Sequence, residues 1–307
     1  MSDTYVIVGA GPVGRATAQQ LRDLGREVVV VTRSGSKPEI DGVRRVAADA
    51  SDATALTAVT GGAVALFNCA NPANYTVWDQ VWPPLAASLL ETAERTGAAL
   101  VTASSLYGYG PVTVPMVEGM PDLATDHKGR LRADMWAEAK ARHEAGRIHA
   151  VEVRASDYLG PQIGANGHVP RHVAAAKAGK AAWVIGSPDL PHTWTDVRDV
   201  ARTLVAVADR PESWGRVWHA PSNAPKTQRQ ALTDVLASVG KPPVAVRSYP
   251  RVVTALGNRF VPIMRELDEM SYMFKRPYVM ESEITQRELD LAPTPWDEVC
   301  RRTADGN

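Results

Sequence analysis

The sequence predicts an α/β protein with a doubly wound parallel sheet and a smaller C-terminal portion. Short β-rich runs alternate with helix-patterned segments through the first half of the chain. Such alternation is typical of parallel strands joined by crossover helices that cover both faces of the sheet. The first β-rich run also ends in a glycine-rich loop, which marks the point where a strand turns into a helix.

The predicted strands of the N-terminal half are short apolar or β-branched runs bounded by glycine or polar residues. They cover Thr4–Val8, Glu27–Thr32, Val43–Ala47, Ala63–Asn68 and Ala99–Ser104. Four consecutive valines in the second run are typical of a strand that is buried on both faces. Helical spacing of apolar residues predicts helices over Arg15–Leu24 and roughly Val81–Thr96.

Beyond about residue 160 the alternation becomes irregular, and proline and glycine are frequent. A proline in a first turn, apolar faces and a terminal glycine predict helices over Pro170–Gly179, Asp196–Ala208 and Thr227–Gly240. Short strands are predicted over Trp183–Ile185 and Trp214–Ala220. We therefore divide the chain into an N-terminal domain, residues 1–160, and a mixed substrate-binding portion, residues 161–307.

The composition is typical of a soluble globular protein and excludes several functional classes. Lys plus Arg and Asp plus Glu both number 34, so the formal net charge is zero, and 45% of residues are apolar. Without a basic excess, we expect no nucleic-acid partner. No apolar stretch reaches the roughly 18 residues of a spanning helix. The first residues do not resemble a secretory signal, so we expect a cytoplasmic protein with no membrane partner.

No metal site is expected from the histidine and cysteine content. Two cysteines, Cys69 and Cys300, are too few for a disulfide framework or a cysteine metal site. His168 and His172 are four residues apart, but Pro170 lies between them and no third ligand is near in the sequence. They are better explained as a loop residue and a residue at the start of a helix.

The glycine loop is the strongest motif of the sequence. Gly9, Gly11 and Gly14, with Pro12 and Val13 between them, form a G-x-G-x-x-G motif after a predicted strand and before a predicted helix. In this setting the first glycine permits a tight turn, the second lets the backbone approach a diphosphate, and the third allows close helix packing. Unpaired amides at the helix start attract phosphate. The loop therefore predicts a Rossmann-type domain that binds a dinucleotide.

The residues after the second and third strands address the choice of dinucleotide. An acidic residue after the second strand would bind the ribose 2′-hydroxyl of NAD. This chain has Arg33 and Ser34 there, which suit a 2′-phosphate, so we expect NADP, with NAD as an alternative. A plain surface role for Arg33 is the other interpretation. Asp49 either accepts a hydrogen bond from the adenine amino group or, like Asp52, caps the next helix.

Taken in order, the motifs resemble those of the extended short-chain dehydrogenase/reductases, the NAD-dependent epimerase/dehydratase family. The matching segments are Gly9–Gly14, Asp49, Asn68–Ala70, Ala103–Gly110, Val153–Pro161, Thr195–Ala201 and Leu289–Trp296. The resemblance implies NAD(P) over the N-terminal part, near Asn68 and Ala70, and a small-molecule substrate over the C-terminal part. It also implies that residues from about 190 to 220 return to the first domain. A homodimer is an option, because helix-pair dimers are common in the family.

The catalytic serine of the family has a counterpart here. Ser105 stands four residues before Tyr109, as the family pattern requires. The Tyr-x-x-x-Lys pair, in which the tyrosine carries the proton and the lysine holds the nicotinamide ribose, is missing. No tyrosine occurs between Tyr109 and Tyr158. The usual proton carrier of the family is therefore absent from its position.

Two alignments fill the positions of the missing pair. The preferred one places Lys128 and Arg132 there, and the other places Trp136 and Lys140 there. An indole N–H is only a hydrogen-bond donor, so Trp136 cannot act as an acid at neutral pH. Lys128 and Tyr109 remain the candidate proton donors beside Ser105.

Two functions follow from this pattern. The first is an atypical NADP-dependent oxidoreductase that acts on a small carbonyl, alcohol or sugar-like substrate, with an epimerase as a variant of it. The second is a protein that binds NADP(H) without turnover and serves as a redox sensor or regulator, because the Tyr-x-x-x-Lys pair is absent. Consumption of NADPH with a panel of carbonyl compounds distinguishes the two.

Overall fold

The structure, a computed structural model, describes residues 3–36, 39–72, 74–250 and 268–306. The strands are β1 (Thr4–Val8), β2 (Glu27–Thr32), β3 (Val43–Ala47), β4 (Ala65–Asn68), β5 (Ala99–Ser105), β6 (Ala150–Ala155), β7 (Asp157–Leu159), β8 (Ala182–Val184), β9 (Trp194–Asp196), β10 (Val217–His219) and β11 (Val246–Ser248). The helices are α1 (Pro12–Asp23), α2 (Ala53–Thr60), α3 (Trp78–Thr96), α4 (His127–Glu144), α5 (Pro170–Lys177), α6 (Val197–Ala208), α7 (Gln228–Ala237), α8 (Glu283–Leu289) and α9 (Trp296–Asp305).

The main sheet has seven parallel strands in the order β10-β6-β5-β4-β1-β2-β3. From β1 the chain builds outward through β2 and β3, and then continues on the other side of β1 with β4, β5 and β6. The order of the strands therefore reverses between β1 and β4. In open α/β sheets, a reversal of this kind leaves a crevice beyond the carboxyl ends of the strands. The predicted doubly wound parallel sheet is confirmed.

Helices cover both faces of this sheet. Alternate residues of β1 and β2 face opposite layers, because side chains of a strand point to its two sides in turn. Tyr5 and Ile7 belong to the layer that packs on α1 and α6, whereas Val6 and Val8 face α2 and α3. Both layers are buried, which explains the uninterrupted valines of β2.

A third core lies in the C-terminal portion. It combines α5, α7 and α9 with the two-stranded sheet of β8 and β11 and with the segment after residue 268. A second small sheet pairs β7 with β9. Strand β10 comes from the C-terminal half and adds to the edge of the main sheet beside β6. Among the described residues, no helix is long and apolar enough to span a bilayer.

The predicted element boundaries differ from the structure in instructive places. Helix α1 begins at Pro12 rather than Arg15, because proline has no N–H to lose in a first turn. Helix α3 begins at Trp78 and continues through Pro83 and Pro84. Strand β6 is not among the strands predicted from the sequence. It is buried along its whole length, but charged residues interrupt its apolar pattern.

Candidate active site

A cleft of about 960 Å³ opens beyond the carboxyl ends of the strands. Its lining begins at the glycine loop after β1, passes the ends of β2 and β3, and continues to the ends of β5 and β6 and to residues of the C-terminal portion. The cleft thus extends from the glycine loop, where the sequence predicts a bound dinucleotide, to the C-terminal portion, where it predicts the substrate.

The glycine loop has the geometry that a diphosphate requires. Gly9 has φ +101°, and a Cβ there would lie 2.7 Å from the carbonyl oxygen of Cys69. A Cβ at Gly14 would lie 2.1 Å from the carbonyl oxygen of Gly9, whereas a Cβ at Gly11 would meet no atom within 4 Å. The start of α1 has no side-chain cap. Open space over Gly11 and uncapped amides fit the diphosphate of a dinucleotide.

Most of the residues predicted to contact the cofactor line the cleft. These are Gly9, Gly11, Pro12, Val13, Arg33, Asp49 and Ala70. Gly14, Ser34 and Asn68 do not line it. Asn68 is buried under the loop, where its Oδ1 accepts a hydrogen bond from the amide of Ala70 at 3.3 Å. The hydroxyl of Ser34 lies 2.6 Å from that of Ser36.

The structure separates the two roles that the sequence left open for Asp49. Asp52 caps α2, because its Oδ1 accepts from the amides of Thr54 and Ala55 at 2.9 and 3.1 Å. Asp49 lines the cleft, and its Oδ1 accepts from the amide and hydroxyl of Ser51. These hydrogen bonds lower the pKa of Asp49, so its carboxylate is charged at neutral pH.

Ser105 ends β5 and lines the cleft. Its Oγ is shielded from water and has no hydrogen-bond partner among the described residues. A buried polar atom without a partner is costly, and in native structures it usually has an explanation such as a bound group or a catalytic role. The neighbouring Ser104, in contrast, accepts a hydrogen bond from Arg132 at 2.8 Å.

Arg132 forms part of the same wall. The side chain is buried, and besides Ser104 its Nη2 donates to the carbonyl oxygen of Ala103 at 3.3 Å. The guanidinium carbon lies 4.4 Å from the ring centre of Trp82. Burial lowers the pKa of Arg132, but a guanidinium remains charged at any physiological pH. Arg132 thus places a fixed cation at the cleft from the position aligned with the family's lysine.

Tyr109 lies outside the lining of the cleft. Its hydroxyl is 2.7 Å from Nε2 of His219, whose Nδ1 is 2.7 Å from the carbonyl oxygen of Glu281. A carbonyl oxygen only accepts, so Nδ1 carries the proton and Tyr109 donates to Nε2. Burial raises the pKa of Tyr109 to about 12 and lowers that of His219 to about 3. Tyr109 is therefore held as a neutral donor within the core.

Lys128 also lies outside the lining of the cleft. Only 1% of its side chain is exposed, and its Nζ pairs with the carboxylate of Glu269. The backbone amide of Lys128 donates to the same carboxylate at 3.0 Å, and Nζ lies 5.7 Å from the ring centre of Tyr75. Lys128 thus joins the start of α4 to the segment after residue 268.

Several phenols line the cleft. The hydroxyls of Tyr75 and Tyr107 are 2.9 Å apart, and burial raises the pKa of both. Tyr158, on β7, lines the cleft, and its hydroxyl interacts electrostatically with Cys69, whose Cβ lies against Gly14 of the glycine loop. Burial raises the pKa of Tyr158, and the nearby guanidinium of Arg132 acts in the opposite direction. Its hydroxyl has no hydrogen-bond partner in the described part of the chain.

Asp157 and His168 lie at the other end of the lining, and His192 lies behind Asp157. Asp157 precedes Tyr158 on β7 and also lines the cleft. Its Oδ2 accepts from Nε2 of His192 at 2.7 Å, and its Oδ1 is 3.6 Å from Nε2 of His168. His168 lines the cleft, and burial lowers its pKa to about 4. Met273 and Tyr278 complete this wall.

Most of this second group is not predicted from the sequence. Asp157 and Tyr158 follow β6, and residues at the carboxyl end of a parallel strand commonly form the site. That signal was hidden because β6 itself was not recognised. For His168 the sequence favours a loop residue over a metal ligand, so its place in the lining is not predicted. The described residues contain no cluster of three or more metal-type ligands.

The fold and the site now define the class of protein, a Rossmann-type α/β protein with a cleft that includes the glycine loop. The chain belongs to the NAD dependent epimerase/dehydratase family, whose model matches residues 5–219. The resemblance noted from the sequence motifs is thereby confirmed. A comparison with curated protein sequences gave no match.

Solved structures of this architecture are similar along their whole length. A dTDP-glucose 4,6-dehydratase from Bacillus anthracis in complex with NAD is 16% identical, with 99% of this chain and 96% of that chain covered and a TM-score of 0.80. A UDP-glucose 4-epimerase from Thermotoga maritima with UDP-glucose is 16% identical, with 99% and 98% covered and a TM-score of 0.79. MoeE5 in complex with UDP-glucose and NAD is 19% identical, with 99% and 98% covered and a TM-score of 0.78. At these identities the likeness establishes the fold.

Proposed function

We propose that this family member is an NADP-dependent oxidoreductase that acts on a small hydroxyl, carbonyl or sugar-like compound. The observation that carries the proposal is the unpartnered Oγ of Ser105, which lies on the same cleft as the open glycine loop. A hydroxyl held without a partner beside a dinucleotide site suits hydrogen bonding to the oxygen of a substrate. An epimerase that reuses its bound cofactor is a variant of the same chemistry.

Each of these residues has a separate role in the proposed reaction. A bound nicotinamide dinucleotide supplies the acceptor or donor of hydride. Ser105 donates a hydrogen bond to the substrate oxygen, and Arg132, which is bound to Ser104 and to the carbonyl of Ala103, supplies a fixed positive charge nearby. Tyr158 is the lining phenol that interacts electrostatically with both Cys69, beside the glycine loop, and Arg132, so we assign it the exchange of the proton. It replaces Tyr109 and Lys128 as candidate, because those two side chains lie outside the lining.

The test compares single substitutions under one assay. NADPH consumption is followed by fluorescence with a panel of carbonyl compounds, and the dissociation constant of NADPH is measured in parallel. We expect Ser105→Ala and Tyr158→Phe each to lower kcat roughly 100-fold, the typical contribution of one positioned donor or acid, with little change in NADPH affinity. Tyr109→Phe is the matched control and should retain most of the activity.

A redox sensor or regulator remains the second candidate function. It is favoured by the buried phenols, because their raised pKa values make them weak proton donors. In this case wild-type protein binds NADPH but consumes none with any carbonyl compound. Turnover that persists unchanged in both Ser105→Ala and Tyr158→Phe would contradict the assigned roles.

A further inference from the structure

The substrate end of the cleft carries a fixed negative charge. Burial by itself would raise the pKa of Asp157, but His168, His192 and Arg171 together lower it below the ordinary value. The hydrogen bond from Nε2 of His192 at 2.7 Å also holds the carboxylate in place. His192 is in turn fixed by stacking on Phe274, with ring centres 4.7 Å apart and planes 8° apart. Asp157 is therefore a positioned carboxylate rather than a mobile one.

Among the described residues that line the cleft, no lysine or arginine lies at the substrate end to offset this charge. Among the described lining residues, the guanidinium groups are those of Arg33 and Arg132. Arg33 follows β2 at the opposite end, and Arg132 is bound to Ser104 and to the carbonyl of Ala103. Arg171, which contributes to the pKa of Asp157, lies outside the lining and donates to the carbonyl of Gly167 at 2.9 Å.

The other lining residues near Asp157 in the described part of the chain include phenols and an apolar side chain. Tyr75, Tyr107 and Tyr278 present phenols, and Met273 presents an apolar side chain. Such walls hydrogen-bond to hydroxyls and pack on apolar parts of a ligand, but they supply no charge to neutralise phosphates. His168 is neutral at pH 7, because burial lowers its pKa to about 4. Two phosphates placed here would face an ionised carboxylate in a partly buried site, where like charges repel strongly.

We propose that this end of the cleft takes an uncharged or cationic hydroxyl compound and rejects nucleoside diphosphates, and that Asp157 determines this preference. MoeE5 and the Thermotoga maritima epimerase, in contrast, are structures solved with UDP-glucose. The carboxylate accepts a hydrogen bond from a hydroxyl or ammonium group of the substrate while His192 keeps it oriented. The proposal rests on the proposed function for the occupancy of the glycine loop by a dinucleotide.

The experiment is a calorimetric titration of UDP-glucose into the full-length protein saturated with NADPH, so that the glycine loop is not open to the probe. Wild-type protein should show a dissociation constant weaker than about 1 mM. Asp157→Asn, which removes the charge and keeps the shape, should bind UDP-glucose about tenfold tighter or more. Asp157→Glu keeps the charge and should behave as wild type. Asp157→Ser is a second neutral variant in case Asp157→Asn does not fold.

Each outcome decides the proposal. Micromolar binding of UDP-glucose by wild type would overturn it, and so would neutral variants that fold but bind no better than wild type. The NADPH titration that precedes each measurement tests the proposed function separately. If wild type does not bind NADPH, the proposed function fails, and the same UDP-glucose comparison is then made without dinucleotide under the same criteria.

Discussion

At the scale of single residues, the main feature of the cleft is that its charged side chains are held in place by neighbouring residues. Arg132 and Asp157 stand near its middle and at its substrate end, and each is held by neighbours of its own. Arg154, deeper in the core, is paired with Asp122 and Glu152 at 2.6 to 2.9 Å. Buried charges that are paired in this way are costly to disturb. They leave Ser105 as an uncharged, unpartnered group among fixed neighbours.

Arg33 provides the residue-scale prediction on cofactor choice. Its side chain is exposed at the end of β2, beside the lining residue Asp49. We expect Arg33→Ala to weaken NADPH binding roughly tenfold to 100-fold, since a hydrogen bond to a charged group contributes about 1.5–3 kcal/mol. NADH binding should stay within about twofold of the wild-type value, because NADH has no 2′-phosphate.

The measurement is a fluorescence titration of both dinucleotides at two salt concentrations. Arg45→Ala is the matched control, because Arg45 is a nearby arginine whose Nη1 donates to the carbonyl of Ser36 at 3.0 Å. A wild-type protein that binds NADH more tightly than NADPH would contradict the proposed preference.

At the scale of elements, the turn from β1 into α1 depends on Gly11 and Gly14, which have different roles. Gly14 lets α1 pack on the loop, whereas Gly11 leaves open space above it. We expect Gly14→Ala to lower the free energy of unfolding by about 1–3 kcal/mol, because the added methyl meets the backbone of Gly9. Gly11→Ala should change stability by less than about 0.5 kcal/mol, yet weaken dinucleotide binding.

Urea denaturation and NADPH titration of the two variants check this difference. Equal stability losses in both variants would contradict the separate roles of the two glycines. The conformation of Gly11, with φ −70°, is open to alanine, so the comparison does not involve backbone strain there.

The elements also show how much of the fold and of the cleft can be predicted from the sequence alone. The strands β1 to β5 follow from local apolar runs, and the glycine loop follows from a motif with its own context. Strand β6 was missed because Glu152 and Arg154 break its apolar pattern, and only tertiary contacts show that they are buried and paired. The cofactor end of the cleft can be predicted from the sequence, because it follows from the local motif of the glycine loop. Its substrate end, where Tyr75, Asp157 and His168 meet, could not.

At the scale of the whole molecule, buried neutral histidines link stability to pH. Burial lowers the pKa of His168 to about 4 and that of His219 to about 3, below the usual 6.5. The unfolded chain therefore binds protons that the folded protein does not bind, and stability falls as pH drops below about 6.5. Each such histidine adds a slope of about 1.4 kcal/mol per pH unit.

Urea denaturation between pH 7 and pH 4.5 measures this slope. We expect His168→Asn to reduce this slope by about 1.4 kcal/mol per pH unit, which corresponds to the uptake of one proton fewer on unfolding. A free energy of unfolding that does not change over this range would show that the two histidines are not held neutral in the folded state.

The position of β10 has a consequence for the synthesis of the chain. The sheet strand that neighbours it, β6, is complete some sixty residues earlier in the sequence. Until Val217–His219 leaves the ribosome, the edge of β6 presents unpaired amides and carbonyls, and Trp218 is not there to fill the core beside it. A nascent chain that pauses between the two strands would be open to pairing with other chains. A shortened protein that ends at residue 160 would carry the same exposed edge permanently.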